Sequence, residues 1–240
     1  MHKLVTIIVA AGSGSRMNAE IPKQFLLIDN EPLLMHTVRN FSNVVNTFYS
    51  PKCEQLQFVD NIVNKTVIVL PSTHIGLWAQ LCEKYGFDQP HTVVAGGVNR
   101  FESVKTGLHH ATDADLVVVH DGVRPFASAE LICKAIATAA EKGSAVPAIV
   151  PTDSLRRVTH SGSNAVDRNE YRSMQTPQVF NAEWILDAYG RGYDQKFTDD
   201  ASVVESAGYH ITLIEGEPEN IKITTPDDLQ LAKFISGRRL

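Results

Sequence analysis

The sequence predicts an α/β fold: a Rossmann-like, mostly parallel sheet with helices on both faces, plus a protruding β-hairpin arm. Three observations predict it. Apolar runs such as 4–9 and 115–120 are nearly continuous, as expected of strands buried on both faces. They alternate with segments of helical periodicity, which argues for crossover connections in a parallel sheet. Several runs end in a short loop rich in glycine or polar residues, where such sheets bind ligands.

Strands are expected at 4–10, 65–70, 91–95, 115–120 and 145–150, and helices at 32–42, 73–85, 99–111, 128–142, 182–190, 200–207 and 226–236. Pro32 and Pro226 suit first helical turns, and Thr224 or Thr225 is placed to cap the last helix. Two segments break the alternation. Residues 43–61 carry polar and aromatic residues without periodicity and read as a surface insertion. Residues 154–172 read as a hairpin with a glycine-containing turn, too polar for sheet core. A two-stranded arm is unstable alone, so it is expected to pack on a partner subunit.

With 240 residues, 43% hydrophobic and 20% charged, the chain can bury a sizeable core, and one domain over 1–240 is expected. A net charge of −5 argues against non-specific nucleic-acid binding, so an anionic substrate must be met by a few focused cations. Cys53, Cys82 and Cys133 are far apart and form no C-x-x-C, which predicts neither a disulfide framework nor a zinc site and fits a reducing cytoplasm. No signal-like leader or long apolar run is present, so no membrane association is expected.

The most informative stretch follows the first strand: Ala10-Ala11-Gly12-Ser13-Gly14-Ser15-Arg16-Met17, then Pro22-Lys23-Gln24. Small residues and the glycines Gly12 and Gly14 let backbone N–H groups approach a ligand, while Arg16 and Lys23 bring two positive charges to the same place. Together they describe a polyphosphate cradle. It is no P-loop, since Gly-Lys-Ser/Thr is absent, and no dinucleotide fingerprint, since Met17 stands where the third glycine belongs.

Gly96-Gly97, followed by Asn99 and Ser103, reads either as a turn with a capped helix or as a loop whose backbone and Ser103 hydroxyl read a base edge. In His120-Asp121-Gly122-Val123-Arg124-Pro125, Asp121 closes a buried strand, where it would hold a ribose hydroxyl or help order a metal–phosphate complex. Arg124 is placed to pair with Asp121 or to contact a second phosphate. Lys222, flanked by isoleucines in a short apolar strand, either points inward to meet an anion or sits at a solvated edge. Residues 198–202 look like an N-cap box, though Thr198 also offers a hydroxyl to substrate. The nine histidines make no metal pattern and no nucleophile–base pair is legible, so clustered cations point to direct in-line transfer at phosphorus.

These motifs, with Gln175-Thr176-Pro177-Gln178, Thr198-Asp199-Asp200-Ala201-Ser202 and Asn220-Ile221-Lys222, occur in an order that resembles one family from about residue 3 to 236. That family is the 2-C-methyl-D-erythritol 4-phosphate cytidylyltransferases of the non-mevalonate isoprenoid pathway. The resemblance implies transfer of CMP from CTP to the sugar phosphate, with Mg²⁺ held mainly by the CTP phosphates. It implies catalytic roles for Arg16, Lys23 and Lys222, with Lys222 bridging the sugar phosphate and the reacting centre, and a cytosine seat at Ala10, Ala11, Gly97 and Ser103, with Asp121 on the ribose or sugar side. It further implies that Arg168 on the arm reaches the sugar phosphate of the neighbouring subunit, assisted by Ser154 and Thr198, in a homodimer with exchanged arms. Ser154 departs from a common Thr, Val98 stands where an acidic residue is frequent, and 43–61 has no recognised counterpart. The competing expectations are a cytidylyltransferase for another polyol phosphate such as ribitol 5-phosphate, a nucleotide-binding regulator without catalysis and, last, a dehydrogenase.

Overall fold

The computed structural model describes residues 2–12, 21–46 and 62–239. Strand β1 (His2–Val9) runs into the 10–12 loop. After a 3₁₀ turn (Lys23–Phe25) come β2 (Leu27–Ile28) and β3 (Glu31–Pro32), joined through Asp29 and Asn30 at φ 49° and 63°, a left-handed region that Asp and Asn tolerate. Next follow α1 (Leu33–Asn46), β4 (Ile62–Leu70), α2 (Ile75–Tyr85), β5 (Thr92–Ala95), α3 (Arg100–Leu108), β6 (Leu116–Asp121), α4 (Ala129–Lys142) and β7 (Ser144–Ile149). The arm is β8 (Arg156–Thr159) paired with β9 (Gly162–Ala165). The chain ends with β10 (Ser173–Met174), β11 (Gln178–Asn181), α5 (Ala182–Gly190), α6 (Asp200–Ser206), β12 (Leu213–Glu215) and α7 (Pro226–Arg239).

The main sheet is eight-stranded, ordered β10-β7-β11-β6-β1-β4-β5 with β12 alongside β7. Strands β6, β1, β4 and β5 are mutually parallel, as expected. The sequence reading missed β11, which lies antiparallel between β6 and β7. With only four residues and no alternation of its own, it owes its place to the two apolar strands beside it.

Along β1, Leu4 and Ile8 face one core, shared with α1, α2 and α4, while Val5 and Ile7 face another, shared with α3, α5 and α6. Helices therefore cover both faces. Gly107 lets α3 sit close on β1, since a Cβ there would lie 2.6 Å from Ile7 Cγ2. A third cluster packs α7 against the 123–126 turn, Ala232 and Ile235 joining Val123, Phe126 and Ile223.

Several expectations need correction. Pro32 closes β3 instead of opening a helix, and α1 runs through Asn46 into the stretch expected as an insertion. Residues 47–61 lie outside the described residues. Residues 221–224 form no strand, because no neighbouring strand lies there to pair with; Lys222 sits in a connection before α7. Cys82 is a free thiol, and Cys53 lies outside the described residues. Thr225 does cap α7, its hydroxyl accepting from Asp228 N at 3.2 Å. Among the described residues, no helix is long and apolar enough to cross a membrane.

Candidate active site

The carboxyl ends of β1, β5 and β6 open on a cavity of about 290 Å³. Ala10, Ala11, Gly12, Lys23, Gly97, Ser103, Asp121 and Lys222 all line it. Gly14 and Arg16 lie outside the described residues.

Local chemistry explains each wall. Ala10 N donates to Val69 O (2.9 Å) and Gly96 N to Leu70 O (2.7 Å), which prolongs the sheet into both loops. A Cβ on Gly96 would come within 2.6 Å of Ala11 Cβ, so the two loops meet only because residue 96 is glycine. Asn99 caps α3 by accepting from Glu102 N at 2.8 Å. Ser103, almost fully buried, donates to Asn99 O (2.8 Å) and accepts from Gly97 N (3.2 Å). The capped-helix and base-reading alternatives for this loop are therefore compatible. Lys23 opens its 3₁₀ turn beside buried Gln24, whose Nε2 lies 3.3 Å from His74 Nδ1, and Phe25, stacked on Trp78 with centroids 6.1 Å apart.

A second cavity of about 320 Å³ adjoins the first and is lined by Arg124, Thr176, Gln178 and Thr198, among others. Arg100, Asp121 and Lys222 line both. At this junction Asp121 Oδ2 lies 3.0 Å from Lys222 Nζ and 3.2 Å from Arg124 Nε, while Oδ1 lies 3.9 Å from Arg100 Nε. Burial works to raise the Asp121 pKa, but Lys222, Arg100 and Arg124 outweigh it and hold the carboxyl well below the usual carboxylate range. Asp121 is thus a permanent anion. Arg100 meets Asp200 through two contacts, at 2.8 and 2.6 Å, and Tyr189 donates to the same carboxylate at 2.6 Å. Burial opposes the Arg100 charge, yet Asp200 and Asp121 raise its pKa overall.

The two roles left open for Arg124 are likewise compatible, since it pairs with Asp121 and still lines the second cavity. Ser154 and Arg168 are not brought to either cavity within the chain; both are exposed, and Arg168 Nη1 donates to Thr152 O. Sequence reasoning missed Arg100, Asp200, Thr176 and Asn220 as parts of the site. Arg100 directly follows the helix cap, which was a signal; Thr176 lines the second cavity, and the fully buried Asp200 and Asn220 stand behind the lining, all three placed by tertiary contacts.

The chain matches the family model described as IspD: 2-C-methyl-D-erythritol 4-phosphate cytidylyltransferase over residues 4–238. It is 45% identical over 235 residues to the 2-C-methyl-D-erythritol 4-phosphate cytidylyltransferase of Porphyromonas gingivalis, covering 98% of each chain. The Bacteroides fragilis protein of the same name is 43% identical over 229 residues, with 95% of this chain and 97% of that one covered. Among solved structures, 4-diphosphocytidyl-2C-methyl-D-erythritol synthase from Anaerococcus prevotii superposes with a TM-score of 0.80 at 26% identity, covering 98% of this chain and 99% of that one.

Proposed function

The chain belongs to the 2-C-methyl-D-erythritol 4-phosphate cytidylyltransferase family, and we propose that its adjoining cavities are the nucleotide and sugar-phosphate halves of one active site. The enzyme transfers CMP from CTP to 2-C-methyl-D-erythritol 4-phosphate in the isoprenoid pathway, giving CDP-methylerythritol and pyrophosphate. One observation carries the assignment of residues: Arg100, Asp121 and Lys222 belong to both cavities, so a phosphorus between two substrates would sit beside them.

A phosphate oxygen of the sugar phosphate attacks the α-phosphorus of CTP; that P–O bond forms as the bond to pyrophosphate breaks. The attacking phosphate is already ionised at neutral pH, so no general base is required. Lys23 and Lys222, with Arg16, neutralise the charge gathering on the α-phosphoryl oxygens. Ser103 has committed its proton to Asn99 O and can only accept further, which suits the exocyclic amino group of cytosine and disfavours the carbonyl of uracil. Ala10, Ala11, Gly12 and Gly97 form the floor on which base and phosphates rest, Gly14 is assigned to the phosphates by sequence alone, and Asp121 holds Lys222 and the sugar side in place.

Arg124 and Thr198 take the sugar phosphate, and Arg168 and Ser154 reach it from the arm of a second subunit. Among the described residues, no group of three or more His, Cys, Asp or Glu side chains could hold a metal, and the Asp121 carboxylate is already matched by cations. Mg²⁺ therefore fits as a companion of the CTP phosphates, where it would shield their charge.

The test is pyrophosphate release from CTP with methylerythritol phosphate and with ribitol 5-phosphate. Release with the former and little with the latter is expected. The reverse preference would assign another polyol, and CTP binding without release would leave a regulator.

A further inference from the structure

Behind the junction, four buried residues, two of which, Arg124 and Thr176, also line the second cavity, close a ring of hydrogen bonds. His120 Nε2 faces Arg124 O at 2.9 Å; a carbonyl only accepts, so this nitrogen carries the proton. His120 Nδ1 is then bare and accepts from the Thr176 hydroxyl at 3.0 Å, whose oxygen in turn accepts from Asp121 N at 3.0 Å. Thr176 O accepts from Asn220 Nδ2 at 2.8 Å, and Asn220 O accepts from Arg124 Nη1 at 2.7 Å, which completes the circuit. His120 and Asn220 are fully buried, Thr176 is 4% exposed and Arg124 9%.

The circuit bears on Lys222 because residues 221–224 have no strand ladder to place them. Their hold comes from either side of the lysine: Asn220 through the ring, and Ile223 N donating to Val123 O at 3.0 Å. Both anchors end on the 121–124 turn that carries Asp121. Among the described residues, no group donates to the buried Oδ1 of Asn220.

We propose that His120, Thr176 and Asn220 are positioning residues for Lys222: the ring sets where its ammonium stands relative to Asp121 and to the reacting phosphorus. This rests on the catalytic role of Lys222 given above. Thr176→Val keeps the shape of the side chain and removes the relay hydroxyl. It should lower kcat roughly tenfold, the worth of one hydrogen bond in transition-state terms, while leaving the KM for CTP and for the sugar phosphate unchanged. Thr176→Ser should restore kcat. In a Lys222→Ala background, Thr176→Val should cost nothing further, because what it positions is gone. Asn220→Ser, with its fold checked by circular dichroism, gives the same comparison if Thr176→Val does not fold. Undiminished kcat, a raised KM for the sugar phosphate, or an equal loss added to that of Lys222→Ala would each overturn the proposal. Full turnover by Lys222→Ala alone would overturn the reading beneath it instead.

Discussion

The carboxyl end of β6 and the arm are built on opposite terms. Around Asp121 the polar groups find partners within the chain and sit at or below the surface, and the strand leading there is buried at every position. Along β8 and β9 every residue is exposed, Val158 to 81%, and cohesion comes from strand pairing and side-chain contacts such as Arg156 Nε to Ser163 Oγ at 2.8 Å. The first region is the one proposed to meet the nucleotide. The second holds together only weakly by itself, which is why a second copy is the surface proposed for it.

Substitution tests this contrast most strongly at the lysines. Lys222→Ala and Lys23→Ala should each lower kcat about 10²- to 10³-fold, the effect of losing a charge-assisted contact made in the transition state. The melting temperature should barely move, since the Lys222 side chain is 41% exposed. A loss of stability as large as the loss of rate would instead make these lysines structural.

Acid should act on the β6 end next. Burial pushes the His120 pKa down from 6.5 to about 4, so the unfolded chain takes up protons first as pH falls. Stability present above pH 6.5 is therefore lost towards pH 4, by up to about 3 kcal/mol. The lowered Asp121 pKa works in the same direction but only below the ordinary Asp range, so its contribution survives down to about pH 4. Urea unfolding at pH 7 and pH 4.5 checks the sign; equal midpoints would contradict the buried neutral imidazole.

Smaller effects belong to the arm. Arg168→Ala should raise the KM for the sugar phosphate about tenfold and leave CTP affinity unchanged; equal losses for both substrates would remove its assignment. Val158→Ser should shift thermal unfolding of the isolated subunit by no more than about 0.5 kcal/mol, yet weaken association in sedimentation. A parent protein that sediments as a monomer at every concentration would dismiss the exchanged arm.

Much of this was legible in the chain. The continuous apolar runs of β1, β4 and β6, the small-residue loop at 10–12, and the caps at Asn99 and Asp199 all obey local rules, so sequence placed them within a few residues. Short β11 was not legible, because its strand character is imposed by β6 and β7. Nor was the extended connection holding Lys222, whose flanking isoleucines imitate a strand.

By itself, the sequence determined the α/β layering, the small-residue loop proposed to hold phosphate and the set of cations from which a clamp could be drawn. These depend on hydrophobic period and residue chemistry, which act over a few neighbours. Only the tertiary structure decided that Arg100, Arg124 and Lys222 share one carboxylate and that Thr176 and Asn220 stand behind it. Those contacts join residues up to about a hundred positions apart, and no local preference encodes a distance of that kind.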